Sequence, residues 1–410
     1  PASPIAGAPG PPPLSMLFQH GYYSGSGYTY GVYPEYFPLR LRLIALLRGH
    51  RPANLEAPFQ LVEFGCGQGL GLCLQAALHP HARFSGIDLL PSHISHAQAL
   101  AGAAGLTNVT FQEGDFLDLV QDDPDRCGLF DIAICHGVLS WVSREVQQAV
   151  WKLAVSSLRP GGLFALSYNC FPGNLSEVPF QHLVQTLQGQ HAAGSESLEA
   201  AIGLFQRLQD CGAGLFQAQP SLAPFLEGLA GKDPRYLPHE YNQQRWQPRF
   251  SDRVIGHAAD LGFTYLASAN LAESFDGLLP EAFRPLLQEQ HDPALRELLR
   301  DLLVNQSFRR DVYSRGLDPL WQQEAQTSLL DQRLIRLVED DQLDRSELYS
   351  FPLSFGTVQG NHHWFRALLD AMGDEPCRLG DLPPLAGPSA MPLPELLQNI
   401  ALLLGKGLVA

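Results

Sequence analysis

One stretch of the sequence, from Leu61 to Gly71, limits the possible folds more than any other. It reads LVEFGCGQGLG, and FSGIDLL follows after a segment of helical length. The apolar residues predict a buried strand, and Gly65, Gly67 and Gly69 then allow a sharp turn in which the backbone can approach a ligand. Asp88 closes the second strand, where a carboxylate can accept both hydroxyls of a ribose. The pattern therefore predicts a strand, a glycine turn, a helix and a second strand that together face a nucleotide.

The spacing of the glycines separates one class of cofactor from another. A dinucleotide fingerprint needs glycine at the first, third and sixth positions of the turn, but the sixth position is Leu70. With Glu63 the pattern becomes E-x-G-x-G-x-G, which resembles motif I of the class I S-adenosylmethionine (SAM) methyltransferases. In that family the loop holds the amino-acid end of a cofactor that has no phosphate. A glycine turn in another kind of α/β protein is the alternative.

Apolar strands and amphipathic helices alternate between Phe59 and Tyr168, as a parallel sheet requires. The five candidate strands are FQLVEFG, ARFSGID, VTFQEGD, FDIAICHG and GGLFALSYN. A sixth strand is predicted within FSDRVIGHAADLGFTYLASAN, and SFRRDVYSRG is predicted to be a seventh, antiparallel strand. We expect an α/β fold: a Rossmann-like, seven-stranded class I methyltransferase core with helical insertions and a small C-terminal domain, for which a winged-helix-like arrangement is one option.

The same pattern divides the chain into five predicted segments. They are a Pro/Gly tail with a tyrosine-rich lid (1–56), the SAM-binding core (57–170), a helical insertion (171–248), the completion of the sheet (249–316) and the C-terminal domain (317–410). Because the chain ends within an apolar pattern, it is expected to be a fragment of a longer protein or to pack against one.

Each part of the cofactor is expected to bind at the carboxyl end of a different strand. Glu63 and the glycine loop face the methionine end, Asp88 holds the ribose, and Asp115 can accept from the adenine amine while Phe116 or Leu89 covers the ring. A helix N-cap is the alternative role for Asp115. The predicted cofactor-binding residues are Glu63, Gly65, Cys66, Gly67, Gly69, Asp88, Leu89, Gly114, Asp115, Phe116, His136 and Gly137.

The predicted catalytic residues lie at the ends of the fourth and fifth strands and among the N-terminal tyrosines. His136 could orient or deprotonate a nucleophile; alternatively it only packs against the cofactor or hydrogen-bonds the loop. Tyr168 and Asn169 could accept from a substrate amine, or they could simply form a turn. Tyr28 and Tyr30 belong to a group of six tyrosines between residues 22 and 36. This group is predicted to act as an aromatic lid that binds a cation through its rings, with simple packing as the alternative.

Composition argues against several other functions. A formal net charge of −15 disfavours nucleic acid as a partner, because binding its backbone requires clustered basic residues. No apolar run of about 20 residues predicts membrane insertion. The seven cysteines are scattered without a C-x-x-C pair, which is typical of reduced thiols in the cytoplasm.

No metal is predicted. Asp123 and Asp125 superficially resemble a calcium loop, but Ile134 stands where its last carboxylate is needed. His239 and Glu240 begin a zinc-binding pattern that lacks the second histidine.

Four further segments, HGVLSWV, SYNCFPG, HEYNQQRWQPRFSDRV and SFRRDVYSRG, occur in this order. With them the chain resembles bacterial class I methyltransferases that carry a methyltransferase regulatory domain, whose best-understood members methylate lysines of bacterial surface proteins. The resemblance implies a cleft lined by His136, Trp141, Tyr168 and Asn169, with His239, Glu240, Tyr241 and Trp246 leading from the insertion back into the core.

The predicted function is transfer of a methyl group from SAM, which leaves S-adenosylhomocysteine as the product. A protein lysine amine is the leading acceptor. A small metabolite or glycan precursor is the second option, and a non-catalytic SAM-binding regulatory protein is the third. The N-terminal segment YTYGVYPEYFPLRLRL departs from the lysine-methylating members, so the acceptor stays open. The sequence also leaves the oligomeric state open.

Overall fold

The computed structural model describes most of the chain. The described residues are 18–19, 22–23, 30–122, 129–188, 195–229, 231–232, 236–241, 245–382 and 391–410. Within them a seven-stranded mixed sheet forms the centre of the molecule.

The strands of this sheet follow the predicted segments closely. They are β1 (Gln60–Phe64), β2 (Arg83–Asp88), β3 (Val109–Glu113), β4 (Phe130–Cys135), β5 (Leu158–Asn169), β6 (Phe263–Ser268) and β7 (Phe308–Arg315). Their order in space is β3-β2-β1-β4-β5-β7-β6. The first five strands are mutually parallel, and β7 runs antiparallel to both of its neighbours. The prediction of a Rossmann-like, seven-stranded core is therefore confirmed. Strand order reverses between β1 and β4, and such a switch point leaves a crevice at the carboxyl ends of the strands.

Helices connect and flank these strands. They are α1 (Pro38–Leu47), α2 (Leu70–Leu78), α3 (Pro91–Ala103), α4 (Phe116–Asp122), α5 (Arg144–Ser157), α6 (Val178–Gln188), α7 (Ser195–Asp210), α8 (Gly214–Ala218), α9 (Leu222–Leu229), α10 (Tyr236–Tyr241), α11 (Ser251–Asp260), α12 (Arg284–Gln288), α13 (Pro293–Val304), α14 (Gln322–Leu330), α15 (His362–Met372) and α16 (Leu393–Lys406). Short 3₁₀ helices span Pro34–Tyr36, Leu175–Glu177, Leu271–Ser274, Asp276–Leu278, Glu281–Phe283, Asp340–Gln342, Ser346–Tyr349 and Leu379–Asp381. None of the helices in the described ranges is long and apolar enough to cross a membrane.

Local sequence signals explain where several helices begin. The Ser143 side chain accepts a hydrogen bond from the Val146 N–H and so caps α5. Asp292 caps α13 in the same way through the Leu295 N–H at 3.1 Å, and Pro293 occupies the first helical position. These residues satisfy N–H groups that have no partner within the helix.

The two faces of the sheet bury different clusters, because alternate residues of a strand point in opposite directions. One face carries Leu61, Ile134, Ala165 and Val312, and the opposite face carries Val62, Ala133, Leu166 and Tyr313. The first face packs against α1, α2 and α3, and we call it the lid face. The second packs against α4, α5 and α11, and we call it the network face. By the same alternation Glu63, His136, Ser167 and Arg310 belong to the lid face.

The helical insertion has a core of its own. Helices α6 to α10 pack around Phe180, Phe205 and Leu226, all of which are buried. A strap of chain returns from the insertion to the sheet. In this strap the Gln247 N–H donates to the Ser140 carbonyl at 2.9 Å, which holds the insertion beside the end of β4.

The C-terminal segment packs on the lid face. Its short strands are β8 (Arg333–Leu334), β9 (Ser350–Leu353), β10 (Gly356–Gln359) and β11 (Cys377–Arg378), which pair as β8 with β11 and β9 with β10. The buried residues of α15 and α16 belong to the same apolar cluster as the lid face. Arg40 of α1 also donates to the Leu404 carbonyl at 3.0 Å. A boundary at residue 317 and a winged-helix arrangement stay predictions. A further antiparallel pair joins Phe18–Gln19 to Tyr22–Tyr23.

Candidate active site

A cleft open to solvent, which encloses about 1480 Å³ when the open space at its mouth is included, lies at the carboxyl ends of β1 to β4. All the predicted cofactor-binding residues line it: Glu63, Gly65, Cys66, Gly67, Gly69, Asp88, Leu89, Gly114, Asp115, Phe116, His136 and Gly137. Of the other predicted residues, Tyr30, Trp141 and Glu240 also line the cleft. The fold thus gathers one set of residues that lie far apart in the sequence.

The turn between β1 and α2 requires glycine for steric reasons. Gly65, Gly67 and Gly69 have φ angles of +78°, +53° and +75°, values that residues with a side chain seldom adopt. A Cβ on Gly65 would lie 2.5 Å from Val138 Cγ2, and one on Gly69 would lie 2.6 Å from Ala97 Cβ. Since neither position has room for a side chain, the backbone itself forms this wall of the cleft.

Asp88 holds the glycine turn against the end of β2. Its Oδ2 accepts from the Gly67 N–H at 2.8 Å, and its Oδ1 accepts from the Leu90 N–H at 3.0 Å and lies 3.1 Å from His93 Nδ1. A carboxylate has about four acceptor positions, so capacity remains for a ribose hydroxyl. The sequence analysis missed His93, which also lines the cleft. Its place in the first turn of α3, shortly after the acid expected to hold the ribose, is the signal that could have identified it.

Glu63 is partly buried behind the glycine turn. Burial, and to a smaller extent the negative charge of Asp88, raise its pKa from 4.5 to about 8. In the absence of ligand the carboxyl group is therefore mostly protonated at neutral pH. A cation in the cleft would favour the ionised form.

Asp115 and Phe116 form the end of the cleft expected to hold adenine. Asp115 Oδ1 accepts from the Leu117 N–H at 2.9 Å, and Phe116 packs edge-on against Phe64 with ring centres 6.0 Å apart. The Asp115 carboxylate thus orders the start of α4 and also faces the cleft, so the two roles considered for it are compatible.

His136 is half-buried between aromatic rings at the end of β4. Its ring centre lies 3.9 Å from that of Tyr33 and 5.1 Å from that of Tyr36. Its Nδ1 lies 2.9 Å from Ser167 Oγ and 3.2 Å from the Tyr36 hydroxyl. Burial, with a contribution from the positive charge of Arg310, lowers its pKa from 6.5 to about 3. So weak a base takes up few protons at neutral pH, which favours the orienting role over the deprotonating one.

The N-terminal segment forms an aromatic wall of the cleft. Tyr30, Gly31, Tyr33, Tyr36 and Phe37 line it. The exposed Tyr30 has its hydroxyl 3.3 Å from His96 Nε2 on α3. At the other end of the segment Glu35 Oε1 lies 2.9 Å from Arg310 Nε of β7, so two side-chain contacts hold the wall in place. Tyr28 lies outside the described residues.

Tyr168 and Asn169 are not brought to the lining of the described cleft. Tyr168 points to the network face, where its hydroxyl donates to Asp311 Oδ2 at 2.7 Å. Asp311 also accepts from Arg309 at 2.9 Å within a fully buried charge network. Asn169 is buried, and its N–H donates to Ser140 Oγ at 2.8 Å. The residue of β5 that reaches the active-site side is Ser167, which the sequence analysis did not single out.

The remaining predicted residues lie near the insertion. Tyr241 is buried in the core of the insertion, and Trp246 lines a separate open groove with Phe171 and Arg249. The side chain of His239 is not described. No group of three or more histidine, cysteine or acidic side chains in the described ranges could hold a metal ion.

Comparisons with known proteins agree with this geometry. Residues 57–219 match a family model described as a methyltransferase domain, and residues 233–315 match one described as a predicted methyltransferase regulatory domain. The uncharacterized protein sll1526 of Synechocystis sp. is 31% identical over 395 residues, which cover 96% of this chain and 76% of that protein. The uncharacterized protein RP789 of Rickettsia prowazekii is 27% identical over 286 residues, which cover 66% of this chain and 48% of that protein.

One solved structure has the same overall fold. PKMT2 from Rickettsia typhi in complex with AdoHcy superimposes with a TM-score of 0.69 at 22% identity, and the match covers 93% of this chain and 76% of that one. Together, the sequence matches, the strand order and the glycine turn show that the chain belongs to the class I SAM-dependent methyltransferases that carry a methyltransferase regulatory domain.

Proposed function

We propose that this methyltransferase acts on the side-chain amine of a protein lysine. The observation that carries the proposal is the make-up of the cleft, which is lined both by the aromatic side chains of Tyr30, Tyr33 and Tyr36 and by the carboxyl groups of Glu63 and Glu240. Aromatic faces and carboxyl groups both attract cations. Such a cleft suits a cationic cofactor and an acceptor that arrives as an ammonium. PKMT2 from Rickettsia typhi, whose structure contains AdoHcy, shares the fold.

The residues of the cleft fit SAM part by part. The turn from Gly65 to Gly69 leaves room for the methionine end, Asp88 retains acceptor capacity for the ribose, and Asp115 faces the adenine end. When bound, SAM supplies an electrophilic methyl group on a positively charged sulfur. Glu63 would ionise next to that charge.

The protein's part in the reaction is to position the amine and to keep water out. An uncharged amine must approach the methyl group in line with the bond that breaks, and a site that fixes this geometry lowers the barrier. The rings of Tyr33, Tyr36 and His136 pack against one another and form one wall of the cleft. His136 contributes to the wall as an uncharged ring. The acceptor amine would therefore lose its proton to water or to a carboxylate.

The first test measures cofactor binding. S-adenosylhomocysteine should raise the melting temperature of the full chain, and Asp88→Ala should abolish the shift. Asp118→Ala removes an exposed acid outside the cleft and should leave the shift intact. An unchanged melting temperature at saturating ligand would contradict the cofactor assignment.

The second test identifies the acceptor class. Radioactive methyl groups from SAM should be incorporated into a lysine-rich basic protein, and acid hydrolysis should release methyl-lysine. Label found only in small molecules of a cell extract would support the metabolite or glycan alternative. Tight binding with no transfer to any fraction would support the regulatory alternative.

A location in the cytoplasm is part of the same proposal. The six cysteines that the structure describes are all unpaired thiols, which agrees with a reducing compartment.

A further inference from the structure

Ser167 links the end of β5 to the turn that follows β4. It is completely buried on β5, and its Oγ accepts a hydrogen bond from the Gly137 N–H at 2.8 Å. The same oxygen lies 2.9 Å from His136 Nδ1. Because Gly137 has a φ of +68°, the chain turns sharply just after β4, and Ser167 is the side chain that holds this turn.

The hydrogen bonds around His136 identify the ring nitrogen that carries the proton. The Ser167 hydroxyl already accepts from Gly137, so its hydrogen requires an acceptor. The Tyr36 hydroxyl is 3.2 Å from the same Nδ1 and also hydrogen-bonds Ser167. If Nδ1 were unprotonated, one hydroxyl could donate to it and the other hydroxyl could donate to the first, which satisfies every hydrogen.

The opposite arrangement leaves a buried hydrogen without a partner. With a proton on Nδ1, three hydrogens would share two hydroxyl oxygens, and only two of them could be accommodated. Leaving a buried polar group unsatisfied is unfavourable. The ring is also uncharged, since burial and the nearby Arg310 lower its pKa to about 3. The neutral ring with its proton on Nε2 is therefore the favoured state.

From this geometry we infer that Ser167 is a positioning residue which holds His136 as the neutral tautomer protonated on Nε2, so that the ring presents a hydrogen-bond donor to the cleft. The ring edge with Nδ1 is occupied by Ser167 and Tyr36, and His136 itself lines the cleft. No partner of Nε2 occurs among the described residues. Its N–H suits a carbonyl or carboxylate oxygen, supplied either by the cofactor or by the methyl acceptor.

Nuclear magnetic resonance of the full chain with ¹⁵N-labelled histidine tests the tautomer directly. The His136 signals are assigned by their loss in His136→Gln. The expected spectrum shows proton correlations typical of Nε2–H and does not change between pH 5.5 and pH 9. A spectrum typical of Nδ1–H, or a titration within that range, would overturn the inference and leave the methyltransferase assignment untouched.

Two substitutions at one position test the role of the hydroxyl. Ser167→Ala should produce a mixture of tautomers and lower the kcat for methyl transfer about tenfold. Ser167→Thr keeps a hydroxyl and should show the single Nε2–H tautomer and the wild-type kcat. Ser156→Ala is the matched control, because that hydroxyl bonds Leu153 within α5 and should affect neither. A Ser167→Ala protein that retains a pure Nε2–H spectrum would refute the role of Ser167. If Ser167→Ala does not fold, the wild-type and Ser167→Thr spectra still show whether His136 carries its proton on Nε2.

Binding measurements show whether the oxygen that accepts from the His136 Nε2–H belongs to the cofactor or to the methyl acceptor. If the oxygen belongs to the cofactor, Ser167→Ala weakens the binding of S-adenosylhomocysteine. If it belongs to the acceptor, the KM for a lysine-rich basic protein rises while the Kd of S-adenosylhomocysteine stays constant. This second readout rests on the proposed function, but the spectrum does not.

Discussion

Replacing Glu63 by glutamine should remove most of the pH dependence of SAM binding. Glu63 is partly buried and its pKa is raised to about 8, so the free protein must lose a proton there before a carboxylate can face the cationic cofactor. Glutamine has nearly the same shape as the protonated acid but does not titrate. The variant should therefore bind SAM with an affinity that no longer follows the ionisation of this residue.

The expected size follows from the fraction of Glu63 that is ionised. For a group with a pKa of about 8, this fraction is about 1% at pH 6 and about half at pH 8. If SAM binds the ionised form, wild-type affinity should rise about fiftyfold across this range. Each unit of pKa corresponds to about 1.4 kcal/mol, so the cost of ionising Glu63 at pH 7 is of that order.

The assay is equilibrium binding of radioactive SAM between pH 6 and pH 8 at constant ionic strength. Titration of the cofactor's own amine affects both proteins equally, so the ratio of wild-type to Glu63→Gln affinity isolates the carboxyl group. We expect this ratio to rise about fiftyfold. A ratio that stays constant over the range would refute the reasoning.

The unliganded protein should show the opposite trend in stability. Folding raises the pKa of this acid above its ordinary value of 4.5, so the folded state holds the proton more tightly than the unfolded state. The stability that results is fully present below pH 4.5 and is lost as the pH rises through 8. The difference between 4.5 and about 8 corresponds to a few kcal/mol. Unliganded Glu63→Gln should therefore melt at a higher temperature than wild type at pH 8.5, and SAM should narrow the difference.

Three further substitutions test separate parts of the site. Asp88→Ala should raise the Kd of S-adenosylhomocysteine about a hundredfold in calorimetry, because Asp88 bonds Gly67 in the glycine turn and Leu90 and His93 at the start of α3, and each bond is worth about 1 kcal/mol; a change below threefold would contradict this. Gly65→Ala should weaken binding by more than about tenfold because the site demands a positive φ and a Cβ would meet Val138. Its control Gly102→Ala, in open space on α3, should change urea stability by no more than about 1 kcal/mol. Tyr168→Phe should lower the free energy of unfolding by about 1–3 kcal/mol through the lost bond to Asp311, and a lower kcat at unchanged stability would instead place Tyr168 in the reaction.

The sheet was predictable because its signals are local. Each strand is a short apolar run bounded by glycine, proline or a polar turn, and helices begin at residues such as Pro91 and Ser143. The packing of the C-terminal segment was not predictable in this way. The apolar side of α16 joins the cluster of the lid face through contacts between residues far apart in sequence, and nothing in the local pattern says which surface an apolar helix will cover.

The sequence analysis named Tyr168 as the catalytic candidate on β5, although strand alternation places Ser167 on the same face as His136. Both residues belong to the polar end of β5, but neighbouring side chains of a strand point to opposite faces. Ile134 and Ala165 belong to the lid face, so Ser167 must share it with His136. Tyr168 pairs with Arg309 in the ladder between β5 and β7 and points to the network face.

The sequence of β7 already contains the reason for this. Arg309 and Asp311 are separated by one residue in FRRDVYSR, and alternation therefore places both charges on the same buried face. Buried charges require partners, and a tyrosine hydroxyl on the neighbouring strand is a suitable donor to Asp311. Two charges with this spacing in an otherwise apolar strand thus predict a structural role for a tyrosine beside them. By elimination, the cleft side of β5 is left to the small hydroxyl of Ser167.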